Sequence, residues 1–360
     1  MNIQENIPLA PLTTFQVGGP ARFFVDARTE TEVENAVAYA AERRLPLFVL
    51  GGGSNLVVAD AGWHGLVLKI ALAGIDFKDE GQRTLVGAGA GENWDRLVAF
   101  TVAKDCAGLE CLSGIPGTVG GTPVQNVGAY GQEVSETILG VRVLEIATGK
   151  ILELDNRACG FAYRTSIFNT TERGRYIVLQ VGYRLTPGQR PRIAYADLQR
   201  FFAAAGDSAP TLQQVRDAVR SIRLSKAMLL VEGDEDCRSA GSFFKNPLLS
   251  VSEAQRVEDL ARRRVPGRIL PRYPTNDGQV KLAAAWLVEQ AGFHKGYSRG
   301  SVGISRKHSL AIVNRGGATS ADIMAFKDEV QNKVLDLWGV RLHPEPVFVG
   351  FPAREATEVR

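Results

Sequence analysis

Ser113-Gly114-Ile115-Pro116-Gly117-Thr118-Val119-Gly120-Gly121-Thr122-Pro123-Val124-Gln125-Asn126-Val127-Gly128-Ala129-Tyr130-Gly131 is a long stretch that no charged side chain interrupts. It is too rich in glycine to form a helix or a strand. Loops of this length without regular structure are usually functional or disordered. Disorder is a poor fit, because Ile115, Val119, Val124 and Val127 need burial. A chain of backbone amides folded around a large, flat, polar-edged ligand explains both features, and a flavin dinucleotide is such a ligand.

Working outward, residues 45–50 read as a buried strand that runs into Gly51-Gly52-Gly53-Ser54-Asn55. Three glycines let backbone approach a ligand and offer several N–H groups to one anion. Ser54 and Asn55 add side-chain hydrogen bonds. No Lys-Ser/Thr pair makes it a P-loop, and no capped helix makes it a dinucleotide fingerprint. A plain tight turn is the ordinary alternative. Gly87-x-Gly89-x-Gly91 imitates the fingerprint, but its third glycine comes one position early. It reads as a close strand-to-helix turn that could also line a cofactor.

Three further segments carry chemistry. Tyr163-Arg164 offers a planar guanidinium that pairs bidentately with carboxylate or phosphate, although a surface salt bridge is the commoner fate of an arginine. Gly241-Ser242-Phe243-Phe244-Lys245-Asn246-Pro247 places a hydroxyl, an ammonium and a carboxamide close together. If it is extended, one ring enters a core while Ser242 and Phe244 share the other side. A strand end bending at Asn246-Pro247 is the plainer reading. His343-Pro344-Glu345-Pro346 holds Glu345 between two prolines, either as a rigid loop or as a placed carboxylate.

The chain has 360 residues, 45% apolar and 22% charged, so two or three soluble domains with a sizeable core are expected. A net charge of +3 is too mild to argue for nucleic acid. The basic stretch Arg262-Arg263-Arg264 reads as a solvated helix face, with phosphate binding as the alternative. Cys106, Cys111, Cys159 and Cys237 form no metal or redox pattern; reduced cytosolic thiols are expected, and no metal. The first residues lack a basic start and an apolar run, so no signal peptide is expected. No segment is apolar for long enough to span a bilayer.

Residues 21–70 read as a small α/β unit: a strand at 21–26, Thr29 and Glu32 as a capping box, and a helix face of Val33, Ala36, Val37 and Ala40. A strand at 65–70 ends it. The middle reads as α+β, with a strand from Thr84, a helix at 92–104, a hairpin at 141–155 turning at Thr148-Gly149, and a strand at 176–185. Helices follow at 211–223 and 281–290, then a strand at 310–314. Ser320 caps a last helix with Ile323, Phe326, Val330, Val334 and Leu337 inward. Boundaries fall near Ala71 and Lys226.

Gly-Gly-Gly-Ser-Asn, the Ile-Pro-Gly…Gln-Asn-x-Gly-Ala-Tyr-Gly loop, Tyr-Arg, Gly-Ser-Phe-Phe-Lys-Asn-Pro and the late Pro-Glu occur here in one order. From about Leu12 to Phe351 that order resembles the UDP-N-acetylenolpyruvoylglucosamine reductase family, in its subclass with a tyrosine-bearing loop. The resemblance implies a two-domain FAD-binding architecture of the PCMH or vanillyl-alcohol-oxidase-like kind, α/β and α+β, with an α+β substrate-binding domain. It implies FAD-binding parts at 1–71 with 341–360 and at 72–226, and a substrate-binding domain at 227–340.

By the same resemblance, FAD is held without a covalent bond by Gly51, Gly52, Gly53, Ser54, Asn55, Gly117, Gly121, Gln125, Asn126, Gly128 and Tyr130. NADPH is the reductant, and hydride then passes to C3 of the enolpyruvyl group. Arg164, Ser242 and Glu345 match the catalytic positions, Ser242 as the proton donor to C2. A glutamate there helps only if it is protonated or orients a donor. Tyr163, Tyr195, Lys226, Asn246 and Tyr273 match substrate contacts. The implied product is UDP-N-acetylmuramate for peptidoglycan, made by a cytoplasmic monomer that takes a sugar nucleotide and needs neither nucleic acid nor membrane.

Two features depart from the pattern. Gly233-Asp234-Glu235-Asp236 is longer and more acidic than the family form, which weakens the match of Lys226. His308 stands where some members have glutamine and receives no role. Two rival readings remain. A flavin oxidase of the same architecture would attach FAD covalently, and His64 is the only early candidate. A non-catalytic flavin or sugar-nucleotide binder would lose Arg164, Ser242 or Glu345, and all three are present.

Overall fold

Apolar runs separated by a capped helix build the first sheet. Its strands are ordered Gln4–Pro8, Pro20–Ala27, Trp63–Ile70 and Leu47–Leu50, the last two parallel with Leu47 opposite Leu66. Helix α1 (Glu30–Glu42) starts where the Thr29 side chain accepts the Glu32 N–H. The Glu32 carboxylate reaches the Arg28 N–H instead of completing the box at Thr29. Val33, Ala36, Val37 and Ala40 are all buried, as the 3.6-residue period requires.

An antiparallel sheet follows, ordered Ile151–Asp155, Ile138–Glu145, Tyr176–Pro187, Thr84–Gly89 and Ile75–Asp79. Val86, Ala88, Val141, Val143 and Val181 are buried on it and belong to one core with α1 and helix α2 (Trp94–Ala103). The break between the two sheets falls at residues 71–74. There a Cβ on Gly91 would lie 2.5 Å from the Ala71 Cα, so backbone fills the space beside the false fingerprint. Helices α3 (Ala196–Ala205) and α4 (Leu212–Ser225) complete this part.

The computed structural model describes residues 1–206, 209–275 and 278–352. They form two compact units. The first comprises Met1–Ile7, Ala21–Gly53 and His64–Leu229; the second comprises Pro8–Pro20, Ser54–Trp63 and the chain from Leu230 onward. The first unit thus ends at Leu229. Residues 341–352 group with 230–340 in the second unit, and residues 353–360 lie outside the described residues. The strand Val347–Val349 does return to N-terminal sequence, pairing in parallel with Leu56–Val58, but those residues belong to the second unit.

The second unit packs helices α5 (Val251–Arg264), α6 (Ala284–Gln290) and α7 (Ser320–Trp338) with short antiparallel sheets. Its core includes Phe15, Phe243, Trp286, Phe326 and Trp338. Two boundaries differ from expectation. Helix α6 begins at Ala284 because Val280–Leu282 is a strand paired on both sides, with Leu248–Leu249 and Arg272–Pro274. Thr319, not Ser320, caps α7, in a full box with Asp322. Ser320 instead exchanges hydrogen bonds with Asp60, whose carboxylate also accepts the Ala321 N–H. That places a negative charge at the helix N-terminus, where the dipole favours it.

Arg262, Arg263 and Arg264 form the exposed last turn of α5, as a solvated face would. All four cysteines are buried, and none of them forms a disulfide. Among the described residues no helix is long and apolar enough to cross a membrane, and no cluster could hold a metal ion.

Candidate active site

In the first unit, the strand Leu47–Leu50 delivers the glycine turn at 51–53. A Cβ on Gly52 would lie 2.6 Å from the Gly117 Cα, and one on Gly51 would lie 3.0 Å from Thr118 Oγ1. The two glycine segments therefore meet backbone to backbone. Gly117 has φ +128°, a conformation that only glycine adopts without strain. The long loop is pinned by backbone bonds: Trp94 N–H to Gly117 O at 3.2 Å, Val119 N–H to Glu92 O at 2.9 Å, and Gly120 N–H to Ala90 O at 2.8 Å.

Asp95 secures the start of the same loop. Its carboxylate accepts the Gly114 N–H at 2.6 Å, the forked Arg216 guanidinium at 2.6 and 3.0 Å, and Arg220. Desolvation pushes this carboxyl up, but these donors outweigh it and hold the pKa below the usual value. Such a double turn of peptide N–H groups, too close for any side chain, suits a pyrophosphate. The residues present therefore fit FAD.

Asn126 serves the loop itself. Its amide donates to Glu133 Oε2 at 2.8 Å and Ala162 O at 3.1 Å, and its carbonyl accepts the Ser135 N–H. It ties the loop to the turn that carries Tyr163 and Arg164. Gly121 is exposed and Gln125 half-buried. Gly128 is buried, and its carbonyl accepts the Arg164 Nη2 at 2.8 Å.

Arg164 has φ +54°, a left-handed conformation uncommon outside glycine. The 162–165 turn holds it there through reciprocal Ala162–Thr165 hydrogen bonds, and Asn169 donates to its carbonyl. Strain of this kind concentrates at functional sites. The guanidinium lies 5.4 Å from the centroid of the exposed Tyr163 ring.

The Tyr130 ring meets the Tyr195 ring edge-on at 5.4 Å, and burial pushes the Tyr130 phenol up to about 12. Two residues after Tyr195, the Asp197 carboxylate accepts Lys226 Nζ at 2.6 Å. Desolvation raises the Asp197 pKa, but Lys226 and Arg200 bring it below the usual range. Tyr195 and Lys226, read separately from sequence, thus share one cluster. His64 is exposed on the strand Trp63–Ile70.

In the second unit, residues 243–245 pair antiparallel with 343–345. Glu345 N–H donates to Phe243 O at 2.8 Å, Lys245 N–H donates to His343 O at 2.9 Å, and Phe244 bridges Pro344. Phe243 N–H donates to Leu310 O on the other side. Ser242 and Glu345 are therefore held near each other by backbone. The expected alternation of the rings does not hold: Phe243 is 0% exposed and Phe244 2%. Gly241, at φ +72°, starts an irregular segment whose only strand-like residue is the bridge at Phe244, so a two-residue period does not apply. Asn55 Nδ2 donates to Glu345 O, and Asn55 O accepts the Val347 N–H, fixing the backbone around the carboxylate. The Ser54 carbonyl accepts Thr14 Oγ1.

Ser242 Oγ lies 3.0 Å from His308 Nε2, a partner absent from the sequence reading. The two are 66 residues apart, and neither lies in a motif that mentions the other. Asn246 Oδ1 accepts the Ala284 N–H at 2.9 Å and caps α6 from a distance. Tyr273 is half-exposed on the strand Arg272–Pro274, with Lys281 Nζ 6.0 Å from its ring centroid.

A glycine cradle fitted to a dinucleotide is the mark of an FAD-binding fold, and a family model described as "FAD binding domain" matches residues 21–155. A second, described as "UDP-N-acetylenolpyruvoylglucosamine reductase, C-terminal domain", matches residues 233–349. The UDP-N-acetylenolpyruvoylglucosamine reductase of Thermobifida fusca (strain YX) is 47% identical over 350 residues, covering 96% of this chain and 98% of that one. The Streptomyces coelicolor protein of the same name is 46% identical, covering 97% of this chain and 91% of its own. The crystal structure of UDP-N-acetylenolpyruvylglucosamine reductase from Thermus caldophilus aligns with a TM-score of 0.66 at 25% identity, covering 97% of this chain and 99% of that one. The chain belongs to the UDP-N-acetylenolpyruvoylglucosamine reductase family.

The cradle gives a direct expectation. Gly52→Ala drives a Cβ into the Gly117 backbone, and overpacking of this kind costs about 1–3 kcal/mol. The dissociation constant for FAD should rise roughly 10- to 100-fold. Titration of flavin-free protein with FAD checks it; wild-type affinity would show that the two turns do not form the binding surface.

Proposed function

We propose that this protein reduces the enolpyruvyl group of UDP-N-acetylglucosamine enolpyruvate to give UDP-N-acetylmuramate for peptidoglycan, using FAD and NADPH. The observation that carries the reading is the backbone pairing of residues 243–245 with 343–345, which brings the chain at Ser242 close to the chain at Glu345 in the second unit. FAD would be held by the turns at 51–53 and 117–121, with Ser54, Asn55, Gln125, Gly128 and Tyr130 as further contacts and Asn126 supporting the loop. When bound and reduced by NADPH, FAD supplies the hydride that arrives at C3.

The remaining work falls to the chain. Hydride addition at C3 leaves negative charge spread over C2 and the carboxylate. A fixed guanidinium aimed at that charge lowers the barrier, and this is the role of Arg164. Ser242 gives its Oγ proton to C2. Glu345, with its backbone fixed, orients a donor at the carboxylate or carries a proton itself. Tyr163, Tyr195, Lys226, Asn246 and Tyr273 bind substrate. Lys226 meets the diphosphate, which would compete with Asp197 for its ammonium.

The three-part division, with FAD-binding parts at 1–71 with 341–360 and at 72–226 and a substrate-binding domain at 227–340, is proposed as the division of labour. We also propose that the protein works as a cytoplasmic monomer, without nucleic acid or membrane. A mild net charge and four cysteines that form no disulfide support this. The reading is tested with the purified protein. It should be yellow and should consume NADPH slowly until UDP-N-acetylglucosamine enolpyruvate is added. A colourless protein that takes up no FAD would sink the proposal.

A further inference from the structure

A serine hydroxyl is a poor acid, and an alkoxide left beside newly formed product is costly unless a proton reaches it at once. His308 Nε2, 3.0 Å from Ser242 Oγ, is the side chain placed to meet that need. Histidine is the residue that takes up and releases a proton near neutral pH.

His308 is held by an unusual amount of local structure. Ser305 Oγ accepts the N–H of Lys307 at 3.1 Å and of His308 at 3.3 Å, and the Ala311 N–H donates to His308 O. The two residues before His308 are clamped by the acidic turn. Asp236, 2% exposed, accepts the Arg306 N–H at 2.9 Å and its Nε at 2.8 Å. Lys307 Nζ donates to Asp234 Oδ2 at 2.6 Å, and Arg306 Nη2 donates to Glu235 at 3.2 Å. Lys307 holds the Asp234 carboxyl below its usual range. Three consecutive carboxylates thus hold the two residues before the imidazole, Asp236 by the backbone and Asp234 and Glu235 by the side chains. A buried carboxylate with both backbone and guanidinium donors is an expensive device for an ordinary surface turn.

We infer that His308 resupplies the proton that Ser242 gives to C2, and that the acidic turn at residues 234–236 positions His308 for this. The inference rests on the reductase reading above. As the C2=C3 double bond accepts hydride at C3, the Ser242 Oγ–H bond breaks and a C2–H bond forms. Oγ then takes the Nε2 proton of a protonated His308. The neutral imidazole regains a proton from water. The net addition is one hydride and one proton. His308 acts through Ser242 and is a positioning and proton-supplying residue.

The test separates the two half-reactions. In NADPH-reduced protein mixed with UDP-N-acetylglucosamine enolpyruvate, His308→Ala should slow flavin reoxidation about 10- to 100-fold, the lower part of the general acid–base range. Reduction by NADPH should stay at the wild-type rate. His308→Gln keeps a hydrogen-bonding group near Oγ but has no transferable proton, so it should be nearly as slow. Asp236→Asn should be slowed several-fold in the same step only. A wild-type rate in His308→Gln would overturn proton supply, and a wild-type rate in Asp236→Asn would overturn the role of the acidic turn. A readout free of turnover is the 15N signal of His308 in flavin-free protein, which should shift in Ser242→Ala; no shift contradicts the contact. If wild-type protein itself fails to reoxidise with this substrate, the reductase reading fails instead.

Discussion

Ser242→Ala should slow reoxidation of the reduced flavin by UDP-N-acetylglucosamine enolpyruvate by about 10³-fold or more, while bleaching by NADPH proceeds at the wild-type rate. The size follows from losing a positioned general acid, which contributes roughly 10²–10⁴-fold. The upper half of that range applies because the same substitution removes the bond to His308. Folding should not suffer. Ser242 is only half-buried, while the neighbouring Phe243 and Phe244 rings and the backbone bonds to Leu310 and Glu345 stay in place. Stopped-flow absorbance of each half-reaction measures this directly. Equal loss in both half-reactions would mean that Ser242 supports the fold and does not deliver the proton.

Arg164→Gly should lower the rate of the same step by about 10²–10³-fold, the cost of removing one donor aimed at developing negative charge. Glycine is the informative replacement because Arg164 sits at φ +54°. It relieves backbone strain that costs about 1 kcal/mol or more at a non-glycine residue, which offsets the lost bond to Gly128 O. The melting temperature should therefore stay close to that of wild type. Arg164→Lys keeps the charge but loses the planar fork and should fall between the two. A glycine variant that keeps full activity would assign Arg164 to loop support alone.

Much of the fold was legible because local pattern and burial agree. The helix face Val33, Ala36, Val37 and Ala40, the hairpin at Thr148-Gly149 and the last helix all follow from periodicity and polar turn residues, apart from the one-residue shift of the cap to Thr319. The helix expected at 281–290 started late because Val280–Leu282 is drawn into a sheet by two partners remote in sequence, which local propensity cannot register. The alternation expected at residues 242–244 failed for a related reason: backbone pairing on two sides buried both rings.

The site divides in the same way. Its glycine loops, Arg164, Ser242 and Glu345 stand out in sequence because their types and order are unusual. Their supports do not stand out. His308 reaches Ser242 across 66 residues, and the acidic segment that looked like an oddity clamps the turn before His308. Asn126, expected at the cofactor, spends both amide hydrogens inside the fold. Hydrogen-bond partners of this kind are set by tertiary packing, and no single-sequence motif encodes them.

The central claim is that this chain uses reduced FAD to add hydride and proton across an enolpyruvyl double bond. The most direct measurement is an anaerobic single turnover, in which NADPH-reduced protein is mixed with UDP-N-acetylglucosamine enolpyruvate and the products are separated. The account predicts one UDP-N-acetylmuramate formed for each flavin that returns to yellow. Flavin that stays bleached, or turns yellow without that product, would contradict it.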